Sequence, residues 1–250
     1  MIELKVDPRN PGEIFACYGL FELAELAAPG GVGKFQEDTS WKFKLNTSVT
    51  LADCIEELQK MKVNKIDESK FLDGRKASWD INWEGWAPVV LETRWGNIPL
   101  NWWRVPTFER ETGFKFWAGN VSPYHLLDEI KKELHLVSED DPFRPVGLKT
   151  CFGFDARFSW SRRDVGYSLD HPRVRVSVSP FAEILSAIAL QTFRPRLSND
   201  GVEYYLWMVE LPIIVARVAC SGSIPKCVGY VSRKIQRGKY KALNWAVKIT

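Results

Sequence analysis

Acid is missing from the end of this 250-residue chain: no Asp or Glu follows Glu210. Histidine is scarce, with only His125, His135 and His171. The five cysteines (Cys17, Cys54, Cys151, Cys220, Cys227) are odd in number and scattered, which excludes a disulfide scaffold and predicts reduced thiols in a cytoplasmic protein. No run approaches the ~20 apolar residues that span a bilayer, and the charged start MIELKVDPRN is unlike a secretion signal. Cys-x-x-Cys and Gly-x-Ser-x-Gly are both absent, which argues against a structural zinc site and a nucleophile elbow. No fixed-period repeat or low-complexity tract occurs.

What is there is a foldable chain, 45% hydrophobic and 26% charged, long enough to bury a large core. Its net charge of +3 hides an asymmetry. Eight cations follow Glu210 (Arg217, Lys226, Arg233, Lys234, Arg237, Lys239, Lys241 and Lys248), so the first 210 residues carry 26 basic against 31 acidic side chains, a net −5. Such a split points to a surface for a polyanion. Its densest part, Arg233–Lys241, lies between apolar runs and predicts a basic loop or hairpin at a sheet edge. The plain alternative is a solvated hairpin that keeps a sheet edge from pairing with other chains.

Period and capping predict the elements. Ile2–Val6 and Trp41–Leu45 alternate as strands. Asn10-Pro11-Gly12-Glu13 opens a helix to about Ala27, apolar around nearly its whole circumference and therefore buried. Thr50 caps a second helix, with Leu51, Ile55, Leu58 and Met61 on one stripe. Val89–Glu92 reads as a short strand, and Ser122-Pro123 opens a helix to about Leu136. Later strands are expected at Lys149–Phe154, Val174–Val178, Glu203–Val209, Ile213–Ala219, Val228–Ser232 and Leu243–Ile249, with a helix over Phe181–Phe193. Elements mix without a βαβ repeat, so the fold class is α+β, with mainly antiparallel sheets and buried helices. The acidic Glu139-Asp140-Asp141-Pro142 separates residues 1–142, containing the tryptophan-rich segment, from 143–250, containing the basic hairpin, as two parts or one continuous domain.

Catalytic readings are thin. Gly30-Gly31-Val32-Gly33-Lys34 is not a phosphate loop, because Ala28 replaces the first glycine and Phe35 the magnesium-binding hydroxyl; a helix stop and turn is expected. His171, in Ser168-Leu169-Asp170-His171-Pro172 amid arginines, or else His125, would serve a metal-independent endoribonuclease as proton carrier. No metal or cofactor site is expected. Seven of the eleven tryptophans lie between Trp79 and Trp117. Packing is the favoured reading for them, with Trp102-Trp103-Arg104 the candidate for an exposed interface or base-stacking contact.

Two segments resemble a small CRISPR-associated family encoded in type I-U (I-G) effector operons. The first is Asp7–Leu23, DPRNPGEIFACYGLFEL. The second runs from Gly153-Phe154-Asp155-Ala156-Arg157-Phe158-Ser159-Trp160 through Asp164–Ser168, then Ser179–Leu185 and Gln191–Arg196. The resemblance implies a large-subunit-like component of an RNA-guided antiviral surveillance complex. Its partners would be guide RNA, target DNA, the backbone and guide-processing subunits and the helicase-nuclease. The nucleic-acid-binding residues expected on that reading are Arg157, Arg162, Arg163, Arg194, Arg196, Arg233, Lys234, Arg237, Lys239 and Lys241, gathered into one groove. Structural ion pairs to Asp155, Asp164, Asp170 and Glu183 are the alternative for some of these arginines. A structural adaptor without nucleic-acid contact is the alternative for the whole chain.

Overall fold

In the computed structural model, residues 1–66, 87–103, 114–117, 121–159, 176–198, 201–237 and 240–249 are described. Among them are five α-helices and fifteen strands, and every strand pair is antiparallel. The α+β expectation holds. None of these helices is long and apolar enough to cross a membrane.

Helix α1 (Pro11–Ala27) forms where the caps predict it: the Asn10 side chain accepts the Gly12 N–H, and Pro11 opens the first turn. Having no polar stripe, it is surrounded. On one side lies the sheet β1–β3–β2–β11, made of Ile2–Val6 (β1), Trp41–Asn46 (β3), Val32–Glu37 (β2) and Leu211–Pro212 (β11). Against it packs α4 (Pro180–Ala189). The crossing is so close that a Cβ on Gly19 would stand 1.9 Å from the Leu185 carbonyl oxygen, so no larger residue fits unless the helices part. Tyr18 stacks between Phe193 (centroids 4.8 Å apart) and Trp207 (5.4 Å) and donates its hydroxyl to the Tyr205 carbonyl. Trp207 in turn donates Nε1–H to the Gly33 carbonyl, so the rings fix both sheets to α1 as well as filling space. Each large side chain buried here contributes about 1.5–3 kcal/mol.

The second four-stranded sheet runs β15–β12–β10–β9: Val247–Lys248 (β15), Cys227–Ser232 (β12), Gly201–Trp207 (β10) and Arg196–Ser198 (β9). A three-stranded sheet joins Lys62–Lys65 (β4), Val89–Thr93 (β5) and Gly96–Leu100 (β6). The capped helix α2 (Leu51–Lys60) has its predicted box, Thr50 and Asp53 each bonding the other's backbone N–H. Helix α3 (Pro123–Lys132) follows Ser122 and continues as one 3₁₀ turn, Leu134–Leu136. The pair β7 (Val146–Leu148) and β8 (Val176–Val178) completes the smaller sheets, apart from the basic hairpin. The buried apolar residues form one cluster that draws on both sides of residue 142.

Four expectations are corrected. Ile213–Ala219 is not a strand but helix α5: Ile213, Ala216 and Ala219 are buried at a spacing of three, and tertiary packing overrides the β-branched composition. Lys149–Phe154 is irregular, because the N–H groups of Phe152, Gly153 and Phe154 are taken by a carboxylate instead of a neighbouring strand. The helix over Phe181–Phe193 ends at Ala189. Leu243–Ile249 is broken at Asn244–Ala246 into separate strands. Several strands escaped the sequence reading, β2, β4, β7, β9 and β11 among them. After Gly30 (φ +95°), whose N–H is capped by the Glu25 carboxylate, β2 begins within the predicted turn at Val32.

Candidate nucleic-acid interface

The basic segment is the predicted hairpin. Strand β13 (Lys234–Arg237) pairs with β14 (Tyr240–Leu243), with Lys234 opposite Leu243 and Gln236 opposite Lys241. It forms a two-stranded sheet of its own rather than an edge of the larger one, which corrects that part of the expectation. An isolated hairpin is marginal in water, and this one is tied to the body through its second strand. The Lys241 N–H bonds the Phe116 carbonyl at 2.8 Å, and the Leu243 N–H bonds the Gly153 carbonyl at 2.9 Å. Gly153, at φ +89°, is needed there, since its Cβ would lie 3.0 Å from the Lys241 carbonyl oxygen.

Four cations of this tail stand apart from acid. Among the described residues, Lys226, Arg233, Lys234 and Lys248 form no ion pair, whereas the tail's first cation, Arg217, binds Glu22 of α1 bidentately at 2.7 Å. Lys234 is exposed but partly shielded by neighbouring atoms. That desolvation, with the Lys241 ammonium beside it, holds its pKa below the ordinary lysine value. A lysine crowded by a like charge suits an arriving anion.

The arginines of the second segment that carries the resemblance behave differently. Arg157 is not a groove residue: its Nε donates to Asp155 at 2.8 Å, Nη1 to the Phe143 carbonyl and Nη2 to Glu13 at 3.3 Å. Burial and two acids claim it, so the ion-pair alternative applies. Arg196 faces Glu203 across β9 and β10 at 3.8 Å, largely exposed and therefore a weak pair, and Arg194 donates to the Gln191 carbonyl. Arg104, Arg162, Arg163, Lys239 and His171 lie outside the described residues, as does the Arg237 side chain.

Sequence reasoning missed a buried polar node beneath the hairpin. Glu183, in the first turn of α4 and fully buried, accepts four backbone N–H groups, from Phe152, Gly153, Phe154 and Asp155, at 2.6–3.0 Å. Asp155 accepts from Asn10 Nδ2, the Ser179 N–H and Arg157. Asn10 Oδ1 takes the N–H of Ala156 as well as that of Gly12. Three stretches that carry the family resemblance, around residues 10, 155 and 183, therefore meet in one place. Burial pushes the carboxyls of Glu183 and Glu13 up to about 7. The available signal was a lone Glu inside the apolar run Pro180–Ala189.

Trp102 and Trp103 are not an exposed contact. They are 3% and 0% accessible and pack edge to face with each other and with Trp117, while Trp102 Nε1–H donates to the Ala187 carbonyl. Packing is their role here. Of the described tryptophans, Trp245 alone is highly exposed, at 41%.

Comparison with family models, with curated proteins and with solved structures finds no match. His125 is exposed on α3, and His135 bonds the Lys132 carbonyl through Nδ1 beside an open hollow of about 330 Å³ lined also by Gln59, Asp128, Lys131 and Lys132. Among the described residues no three His, Cys, Asp or Glu side chains are grouped to hold a metal. All five cysteines are unpaired, and burial raises the pKa of each, which makes them poor nucleophiles at neutral pH.

Proposed function

We propose that the protein is a non-catalytic nucleic-acid-binding subunit of a type I CRISPR effector complex, gripping guide RNA or target DNA through its C-terminal basic hairpin. One observation carries the reading: Arg233, Lys234 and Lys248 have no acidic partner among the described residues, while Arg157, Arg196 and Arg217 all have one. A cation with an internal carboxylate is already neutralised; one without it gains by meeting a phosphate and releasing that phosphate's condensed counterions. The family and complex assignments rest on the resemblance of Asp7–Leu23 and the Gly153–Arg196 stretches. The buried tryptophans are consistent with a rigid body that presents the hairpin.

The test is a salt titration of binding to a labelled 30-nucleotide RNA, the matching DNA and their duplexes. If the six cations Arg233, Lys234, Arg237, Lys239, Lys241 and Lys248 contact phosphates, log K falls against log salt with a slope of about −4 for single strands and −5 for duplex. Reversing Arg233, Lys234, Arg237 and Lys241 to Glu should abolish most of that slope and lower affinity at least a hundredfold. Unchanged affinity and unchanged incorporation into the complex would leave the structural adaptor as the better description. A discrete metal-independent cut in repeat RNA, lost in His171→Ala or His125→Ala, would instead favour the endoribonuclease.

A further inference from the structure

We propose that Trp245 is a stacking platform for one unpaired base of a single-stranded nucleic acid whose backbone follows the hairpin; this deepens the proposed function and rests on it. Trp245 lies where the hairpin meets the second sheet. The backbone around it is fixed by three hydrogen bonds: the Asn244 N–H to the Arg233 carbonyl at 3.0 Å, the Ser232 hydroxyl to the Asn244 carbonyl at 2.7 Å, and the Ala246 N–H to the Arg9 carbonyl at 2.7 Å. The Asn244 side chain also accepts the Trp245 N–H. Ala246 next to it is buried at 3% accessibility, whereas the indole is 41% exposed, as are Val247 and Ile249 further along the same segment at 64% and 37%. The backbone that carries it is set before any ligand arrives, which lowers the ordering cost of binding.

The surroundings select the occupant. The Arg9 guanidinium sits 6.0 Å from the ring centroid, held by Asp7 through two hydrogen bonds of 3.0 and 2.7 Å. Arg233 precedes the hairpin and bonds the residue next to Trp245, and Lys248 follows on β15, opposite Tyr230. An exposed aromatic ring in a segment that also carries Arg233 and Lys248, neither with an acidic partner among the described residues, matches a base followed by its phosphates. An apolar protein partner would leave those cations desolvated and unmatched. A base in duplex offers no free face, so the ligand is a single strand.

The full chain is titrated by fluorescence anisotropy with labelled 20-nucleotide oligo(U) and oligo(dT) and with a 20-base-pair duplex. Trp245→Ala should weaken single-strand binding between about 5- and 150-fold, with the salt slope and the duplex affinity unchanged and the melting temperature within a few degrees of wild type. Trp245→Phe should restore most of the loss, because a ring remains. The RNA and DNA arms show which sugar is preferred, and a loss in either supports the platform. If Trp245→Ala binds single strands like the wild type while Arg233→Glu/Lys234→Glu does not, the platform is overturned and the phosphate grip stands. Equal losses on duplex and single strand also overturn it, as does a defect seen only in assembly with protein subunits. A wild-type chain that binds no nucleic acid at any salt overturns both the platform and the function it rests on.

Discussion

Arg157 reaches two carboxylates and a backbone carbonyl within 3.3 Å, whereas Arg233 faces solvent in a tail that holds no acid at all. The two regions are in contact: Gly153 gives its N–H to Glu183 in the node and accepts the Leu243 N–H from the hairpin. Charge in the node is enclosed, satisfied and structural, while charge in the hairpin is displayed on a backbone anchored by that same node. Cations are informative about ligands only after their internal partners have been subtracted. That subtraction moves Arg157 from the binding surface to the scaffold.

The contrast between node and hairpin is broken hardest by Asp155→Ala. It leaves Asn10, the Ser179 N–H and the Arg157 guanidinium without their shared acceptor, and removing one partner of a buried pair costs about 3–5 kcal/mol. In a chain of this size that lowers the melting temperature by roughly 6–20 °C, which calorimetry would register. Gly153→Ala should come next, at about 1–3 kcal/mol, since an L side chain is strained at φ +89° and meets the hairpin backbone. Lying where the regions join, it should weaken nucleic-acid binding along with stability, unlike any substitution on the exposed face.

A smaller effect is expected from pH. Glu183 and Glu13, whose pKa values burial pushes to about 7, keep protons that the unfolded chain releases near pH 4.5. The folded state binds more protons in that window, so stability is greater at its acid side and declines as pH rises through 7. Melting temperature should therefore be several degrees higher at pH 5.5 than at pH 8. Carboxylates held below their usual values, such as Asp7 with Arg9 and Glu129 with Lys132, act only below about pH 4.5 and do not blur the comparison. Smallest of all should be the stability change in the quadruple hairpin charge reversal, within about 1 kcal/mol by urea unfolding. Arg233 and Lys234 have no acidic partner among the described residues to lose, and the repulsion between Lys234 and Lys241 is replaced by a similar one between two carboxylates.

Much of the fold was legible because its signals are local. The Asn10 and Thr50 caps, the Pro at the first turns of α1, α3 and α4, and the apolar circumference of α1 each act within a few residues. Helix α5 was misread because Ile213–Ala219 carries β-branched residues whose fate was decided by packing, through Ile213, Ala216 and Ala219. The node was illegible as a unit because Asn10 and Asp155 are 145 positions apart, and pairing at that separation leaves no periodic trace. Of the candidate interface, the hairpin and its charge were readable from composition. Which tryptophan faces outward was not: Trp102-Trp103 is followed by Arg104 whereas Trp245 stands between Asn244 and Ala246, and only the tertiary structure separates buried from exposed.

The fit of Gly19 against the Leu185 carbonyl bears on how the chain is made. Helix α1 leaves a ribosome long before α4 exists, and at the usual synthesis rate of about 5–20 residues per second the interval is on the order of 10–30 s. Throughout it, a greasy segment with no water-friendly side waits for its cover. Truncations that stop short of residue 190 should therefore aggregate on release instead of giving a smaller folded unit.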